Sequence, residues 1–218
     1  MSSTQPMDQL IAGIELPDSV AAIDATALAR ERLSPLLFDH SRRVFLFGAL
    51  RARDLGLSVD PELLYLASLF HDGALASPYA DPTQRFEVDG ADHARAFMLE
   101  RGFPSAAADV VWTAIALHTT PGVPVRMGPE IAATAYGVLV DTVGLGLDTL
   151  DPAQVDEITT VHPRGDFKRE FVRTFVDGLR DRADTTYGTV YADVPEHSVP
   201  GFRRSGMIER IEGSGWPT

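Results

Sequence analysis

The chain has 218 residues, 44% of them hydrophobic, and its 19 Lys and Arg against 31 Asp and Glu give a formal net charge of −12. This composition is typical of a globular protein, and its acidity argues against binding to nucleic acid or to an anionic membrane, since both need basic surfaces. There is no cysteine, so disulfides and thiolate chemistry are excluded, and a metal site would have to use His and carboxylates.

The apolar pattern is helical, and strand-like alternation is nearly absent, so we predict an all-α fold. In chain order the predicted helices cover about 24–33, 35 onward, 61 onward, 90–101, 105–118 and 131–143, followed by a short helix after 152 and a long one from about 166. Asp60 and Pro61 mark the clearest start, because Asp caps a helix and Pro suits its first turn. A long loop is predicted over 73–89.

The two ends of the chain are predicted to be arms around one domain. Residues 1–17 form the N-terminal arm, 18–192 the helical domain, and 193–218 an irregular tail rich in Gly and Pro. The first arm lacks Lys, Arg and a long uncharged apolar core, so it does not fit a signal peptide. Without an apolar run of about 18 residues we expect no membrane span and a cytoplasmic protein.

Four residues in three of these helices carry the strongest chemical signal. His71 and Asp72 follow the apolar stretch 63–70, where unpaired charge would be costly, while His40 and Asp141 lie on other inward faces. Taken singly, His71 and Asp72 could be a polar helix end, His40 a core histidine, and Asp141 one half of a buried ion pair. Together, two imidazoles and two carboxylates suit Zn, Fe or Mn and leave room for water. Water on such an ion becomes a nucleophile near neutral pH.

The order His, His-Asp, Asp resembles the HD-domain superfamily of metal-dependent hydrolases over about residues 36–145. The segments that carry the resemblance are His40-Ser41-Arg42-Arg43-Val44, Leu69-Phe70-His71-Asp72-Gly73 and Asp141. Within the superfamily the chain is similar to the cyanamide-hydratase-like branch through Arg85-Phe86-Glu87, Gly90-Ala91, Ala114-Ile115-Ala116-Leu117-His118 and His162-Pro163-Arg164. It departs from that branch at Asp39, where Asn is usual, and at Thr119, where an amide often follows the histidine.

This resemblance implies a single HD-type helical bundle with one divalent ion and no organic cofactor. The ligands carried over are His40, His71, Asp72 and Asp141, with zinc expected and iron or manganese as alternatives. In the cyanamide-hydratase-like branch the ion orients or activates water for attack on a small nitrile carbon, as in the conversion of cyanamide to urea.

His118 and Glu87 are the candidates for proton transfer. His118 is either a satisfied core histidine or a proton shuttle that lines the site, and Glu87 is either a solvated loop carboxylate or a proton carrier on a loop that closes over the metal. The residues expected to bind substrate are Arg43, Arg85, Phe86 and Thr119. Extra histidines bind a second metal in other HD branches, which leaves His93 with His118 as a less favoured binuclear arrangement.

Three functions remain open from the sequence. The preferred one is metal-dependent hydration of a nitrile-like compound, which predicts a small pocket with little positive charge. A phosphohydrolase acting on a nucleotide or another phosphomonoester predicts several Arg or Lys at the metal. A non-catalytic regulatory domain predicts a missing ligand, and none is missing. The expected partner is a small-molecule substrate, with self-association left open and no nucleic acid or membrane expected.

Overall fold

The computed structural model describes residues 10–76 and 83–216. Helices dominate these ranges, which confirms the predicted all-α fold. In chain order they are α1 (Val20–Arg32), α2 (Pro35–Asp54), α3 (Pro61–Phe70), α4 (Gly73–Ala76), α5 (Phe86–Glu100), α6 (Ser105–Leu117), α7 (Pro129–Val143), α8 (Pro152–Val161), α9 (Phe167–Leu179), α10 (Asp193–Ser198) and α11 (Met207–Glu212). Short 3₁₀ segments lie at Pro124–Arg126, Leu147–Thr149, Arg180–Thr186 and Val190–Ala192. Within the described ranges, no helix is both long and apolar enough to cross a membrane.

Polar caps explain where the first helices begin. Asp60 accepts hydrogen bonds from the backbone N–H groups of Glu62 and Leu63, at 2.9 and 3.2 Å, so α3 starts where the sequence predicted. Helix α1 starts earlier than predicted, because the Ser19 hydroxyl accepts from the backbone of Ala22 at 3.0 Å and so caps it.

The prediction of a loop over 73–89 is wrong at both described ends of this segment, because both ends are helical. Residues 73–76 form α4, and α5 begins at Phe86 rather than near Gly90, while residues 77–82 lie outside the described residues. The backbone N–H groups of Val88 and Asp89 both donate to the carbonyl of Arg85, at 3.0 Å, which closes the first turn of α5. Arg85 has no capping side chain, so the usual signal for a helix start is missing here.

Helices α2 and α7 pack at the centre of the fold through two glycines. A Cβ atom on Gly137 would lie 2.1 Å from the carbonyl oxygen of Val44, and one on Gly48 would lie 2.6 Å from the carbonyl oxygen of Ala133. Any side chain at these positions would therefore push the two backbones apart. This close approach brings Asp141, one turn after Gly137, towards the residues of α2.

The two ends of the chain hold more structure than expected. Strands β1 (Leu10–Ile11) and β2 (Ile14–Glu15) form a small hairpin, and the N–H of Ala12 donates to Glu157 on α8 at 2.8 Å. The stretch predicted as an irregular tail contains α10 and α11, and α10 packs against α9. Residues 1–9 and 217–218 of the two arms lie outside the described residues. The domain boundaries after residues 17 and 192 stay a prediction.

Candidate metal centre

Helices α2, α3 and α6 bring four buried polar side chains together. His40 lies in the second turn of α2, His71 and Asp72 directly follow α3, and His118 directly follows α6. Neighbouring side chains within a regular helix point apart, but α3 ends at Phe70, so His71 and Asp72 face the same point. The exposed fractions of His40, His71, Asp72 and His118 are 0%, 0%, 1% and 6%.

The imidazole Nε2 atoms converge on the carboxylate of Asp72. The Nε2 atoms of His40 and His71 lie 3.4 and 3.3 Å from Oδ2 of Asp72, and they are 3.1 Å from each other. Nε2 of His118 lies 3.4 Å from the other oxygen, Oδ1. One ligand atom from each of His40, His71 and Asp72 lies within 4.8 Å of the other two, which is the spacing of a metal-binding group.

Hydrogen bonds on the opposite ring nitrogens fix the tautomer of each histidine. Nδ1 of His71 donates to the carbonyl of Ser68 at 2.8 Å, and Nδ1 of His118 donates to the carbonyl of Ile115 at 2.6 Å. Nδ1 of His40 donates to Oδ2 of Asp141 at 2.6 Å. In its neutral form each ring therefore carries a lone pair on Nε2 that points inward, as in metal sites whose histidines are oriented by a hydrogen bond at the other nitrogen.

This centre is rich in lone pairs and lacks donors. Nε2 of His118 and both carboxylate oxygens of Asp72 are buried and have no hydrogen-bond partner. Unpaired buried acceptors are costly, and a buried carboxylate without a hydrogen-bond donor calls for a cation. His and Asp ligands suit a divalent transition metal, so the donor set fits the ion that the sequence predicted. The identity of that ion stays a prediction.

The pKa shifts of Asp72 and His71 favour a metal ion, whereas the shift of His40 favours a proton that the ion would have to displace. Burial lowers the pKa of His71. Burial raises the pKa of the Asp72 carboxyl, but the adjacent His71 and the nitrogens of His118 and His40 hold that pKa well below its ordinary range. For His40, the hydrogen bond to Asp141 and the proximity of Asp72 outweigh burial and raise the pKa. Asp72 is thus ionised and His71 neutral, which are the forms that bind metal.

Asp141, the fourth predicted ligand, lies behind His40 rather than inside the cluster. Its oxygens accept from Nδ1 of His40, from Arg43 Nε and Nη2 at 2.8 and 2.9 Å, and from Arg164. Burial raises the pKa of Asp141, but His40 and then Arg43 lower it to about 2. Asp141 therefore orients a ligand in this arrangement, and its role as a direct ligand stays a prediction.

Arg43 makes four hydrogen bonds within the protein with its five N–H groups, and its contact with substrate stays a prediction. Besides the two bonds to Asp141, Arg43 Nη1 donates to the carbonyls of His162 and Pro163, at 3.1 and 2.9 Å. The side chain is fully buried, so it holds Asp141 in place. Asp39, where the branch usually has Asn, accepts from His162 at 3.0 Å and ties α2 to the end of α8.

Glu87 and Thr119 form a second polar pair beside His118. Glu87 lies in the first turn of α5 and is 2% exposed, so the interpretation of a solvated loop carboxylate is wrong. Its Oε1 accepts from the hydroxyl of Thr119 and from Nη2 of Arg85, the latter at 3.0 Å. The ring of Phe86 lies 5.8 Å from that of His118. Four residues of the predicted site thus lie together near His118: Arg85, Phe86, Glu87 and Thr119. Their roles in catalysis and binding stay predictions.

A cavity of about 950 Å³ adjoins the cluster, and both His118 and Asp141 line it. Tyr191, which the sequence analysis missed, also lines this cavity and stacks on Phe175 with the ring centroids 4.1 Å apart. Burial, and then the carboxylates of Asp72 and Glu87, raise the pKa of Tyr191 well above its usual value, so its hydroxyl remains a donor. An aromatic residue in a Gly- and Pro-rich stretch is a weak signal, and no motif marks it.

His93, considered for a second metal, packs edge-on against Phe70 with the ring centroids 5.7 Å apart. It is not part of the three-residue metal-binding group.

Comparison with known proteins agrees with this arrangement. None of the curated proteins is a significant match to the chain. Residues 37–141 match the family model of the HD domain, and His40, His71, Asp72, His118 and Asp141 all lie within the match. This match and the buried His-His-Asp group, which could hold a metal ion, support a metal-dependent, hydrolase-type function. Residues 37–141, just under half of the chain, are thus similar to the HD domain, and this match supports the HD-domain metal-dependent hydrolase superfamily.

Proposed function

We propose that the protein is a metal-dependent enzyme that adds water to an uncharged, nitrile-like carbon–nitrogen bond, as in the hydration of cyanamide to urea. The observation that carries the metal dependence is the convergence of inward-facing Nε2 atoms on the unpaired carboxylate of Asp72. His40, His71 and Asp72 would hold the ion. When bound, a divalent ion supplies Lewis-acid activation of water and of the polar bond under attack.

The charges around the site favour an uncharged substrate over a phosphate ester. Arg43 and Arg164 are both engaged by Asp141, and Arg85 is engaged by Glu87 through Nη2, while its buried Nε has no hydrogen-bond partner. A phosphate needs several free Arg or Lys donors, or one bidentate Arg, beside the metal. Among the described residues that line the cavity, Lys168 is the one cation without an ion pair, and its side chain is exposed.

His118 is the residue best placed to move a proton. Its Nδ1 is committed to the carbonyl of Ile115, so only Nε2 accepts; Nε2 lies beside Asp72, and the residue lines the cavity. Hydration of a nitrile moves both protons of the water to the nitrogen: the first as the C–O bond forms, giving an imidic acid, and the second as the imidic acid O–H tautomerises to the carboxamide. Nε2 of His118 would accept each proton from oxygen and deliver it to the nitrogen, a role worth about 10²–10⁴-fold in rate.

The test compares two reactions on the metal-loaded protein. We expect urea from cyanamide or carboxamide from an organic nitrile, and no phosphate release from a panel of nucleoside monophosphates. His118→Gln should lower turnover about a hundredfold or more with the metal content retained, whereas His197→Gln, at an exposed histidine outside the cavity, should leave turnover unchanged.

Other outcomes select the other functions. Phosphate release without nitrile turnover would replace the proposal by a phosphohydrolase. Stoichiometric metal without turnover of either class would favour a regulatory HD domain.

A further inference from the structure

The cavity beside the metal centre is much larger than cyanamide requires. Its volume is about 950 Å³, near the top of the range of about 300–1,000 Å³ that holds drug-sized ligands. Cyanamide has three non-hydrogen atoms and would fill the space of two or three waters, on the order of 60–90 Å³. A substrate that uses only the metal end would leave most of the cavity to water.

The walls of the cavity are mainly apolar. They come from the second half of α7, from α9 and from the segment around Tyr191, and they include Val138, Phe171, Phe175, Val190 and Val194. The charged lining residues among those described are Asp141, Arg164 and Lys168, and the first two pair with each other. Water gains little against such walls, whereas burial of an apolar group there is favourable.

Some of the polar lining residues adjoin the cluster. His118 and Thr119 line the cavity and lie beside Asp72 and Glu87, respectively. Tyr191 also lines the cavity, and its ring stacks on Phe175 at 4.1 Å, so this side chain adds both an apolar ring and a hydroxyl group to the lining. A molecule with a polar group that reaches His118 and an apolar body against the remaining walls matches this lining.

We infer that the substrate is an organic nitrile with an apolar body, an alkyl chain of several carbons or an aryl group, which fills the cavity while the nitrile group reaches His118. This rests on the proposed function for the reacting group, but the apolar body follows from the cavity alone. Cyanamide is then a poor substrate at most.

A homologous series tests the inference. We expect kcat/KM of the metal-loaded full-length chain to rise about fourfold for each added methylene from acetonitrile to hexanenitrile, with benzonitrile also well above cyanamide. Val172→Trp should flatten the series, because Val172 lines the cavity and is 58% exposed, so the indole narrows the cavity without entering the core. Val20→Trp is the matched control at a 77% exposed valine outside the cavity and should leave the series unchanged.

A binding measurement separates this inference from the proposed function. Calorimetric titration with acetamide, butyramide and hexanamide requires no turnover, and affinity should rise with chain length in the wild type but not in Val172→Trp. Length-dependent binding without nitrile turnover would overturn the proposed reaction and leave the apolar substrate standing. Turnover of nitriles with cyanamide as the best substrate, or with no dependence on chain length, would overturn the inference.

Discussion

The two sides of the His40 ring face opposite kinds of surroundings. On the Nδ1 side, Asp141 receives donors from His40, Arg43 and Arg164, so charge and hydrogen bonding are satisfied within the protein. On the Nε2 side, Asp72 has no hydrogen-bond donor, and the surrounding nitrogens offer lone pairs. The two buried carboxylates on either side of this imidazole thus differ in their hydrogen bonding: Asp141 has several donors, and Asp72 has none.

This difference indicates a division of work. The Nδ1 side is complete without a ligand and fixes the orientation and tautomer of His40, as the carboxylate partners of metal-bound histidines do. On the Nε2 side the buried carboxylate of Asp72 has no hydrogen-bond partner, and the free-energy cost of burying this charge is offset only when a cation binds. The following predictions test whether the two carboxylates really differ in this way.

The largest effect is expected at Asp72. Asp72→Asn removes the only charged group in the His-His-Asp group, and the amide nitrogen adds a donor where lone pairs converge, so bound metal should fall from about one ion per chain to near zero. Elemental analysis of the purified protein measures this. Asp109→Asn, at an exposed aspartate paired with Arg95, is the control and should keep its metal. Unchanged metal in Asp72→Asn would refute the assigned site.

Arg43 should contribute most to stability on the Nδ1 side. Arg43→Met leaves Asp141 buried with His40 and Arg164 but removes four guanidinium hydrogen bonds, two to Asp141 and two to backbone carbonyls, and we expect a loss of about 3 kcal/mol in the free energy of unfolding. Urea denaturation measures the loss. Arg95→Met removes an exposed ion pair with Asp109 and should cost about 1 kcal/mol or less. Equal losses in the two variants would mean that the Nδ1 side is not a tightly held ion-pair network.

Metal addition should stabilise the wild type through the Nε2 side. At a free zinc concentration of about a hundred times Kd, binding to the folded state alone contributes about 2.7 kcal/mol. In a chain of this size that raises the Tm by about 5–10 °C, which thermal unfolding with and without a chelator measures. The Arg43→Met variant should show the same shift from a lower starting Tm, whereas Asp72→Asn should show none. A full shift in Asp72→Asn would place the ion elsewhere.

The sequence indicated much of this arrangement because its signals are local. Asp60 and Pro61 mark the start of α3, and the apolar run after them predicts a buried helix whose last polar residues need partners. The residue order within the HD pattern predicts His40, His71, Asp72 and Asp141 in one site, and the first three of them form the metal-binding group of the structure. The all-α fold follows from helical periodicity alone.

Other features depend on contacts between distant segments and left no local signal. The position of Asp141 behind His40 depends on how closely Gly137 lets α7 approach α2. The start of α5 has no capping side chain, so Glu87 was placed in a loop, although it is buried against Thr119 from α6. Tyr191 reaches the cavity only because its segment folds back on α9.

The smallest effect, and the sharpest test of the comparison, is expected at Asp141. Asp141→Asn keeps an oxygen that accepts from Nδ1 of His40 but loses the charge that polarises the ring, so metal affinity should fall about ten- to a hundredfold, or about 1.4–2.7 kcal/mol. Because the ligands on the Nε2 side are intact, saturating metal should still give one ion per chain. Competition with a chelating dye measures the affinity, and elemental analysis at saturation measures the stoichiometry. Loss of stoichiometric binding, as expected for Asp72→Asn, would instead make Asp141 a direct ligand, and the two carboxylates would then act on the ion together.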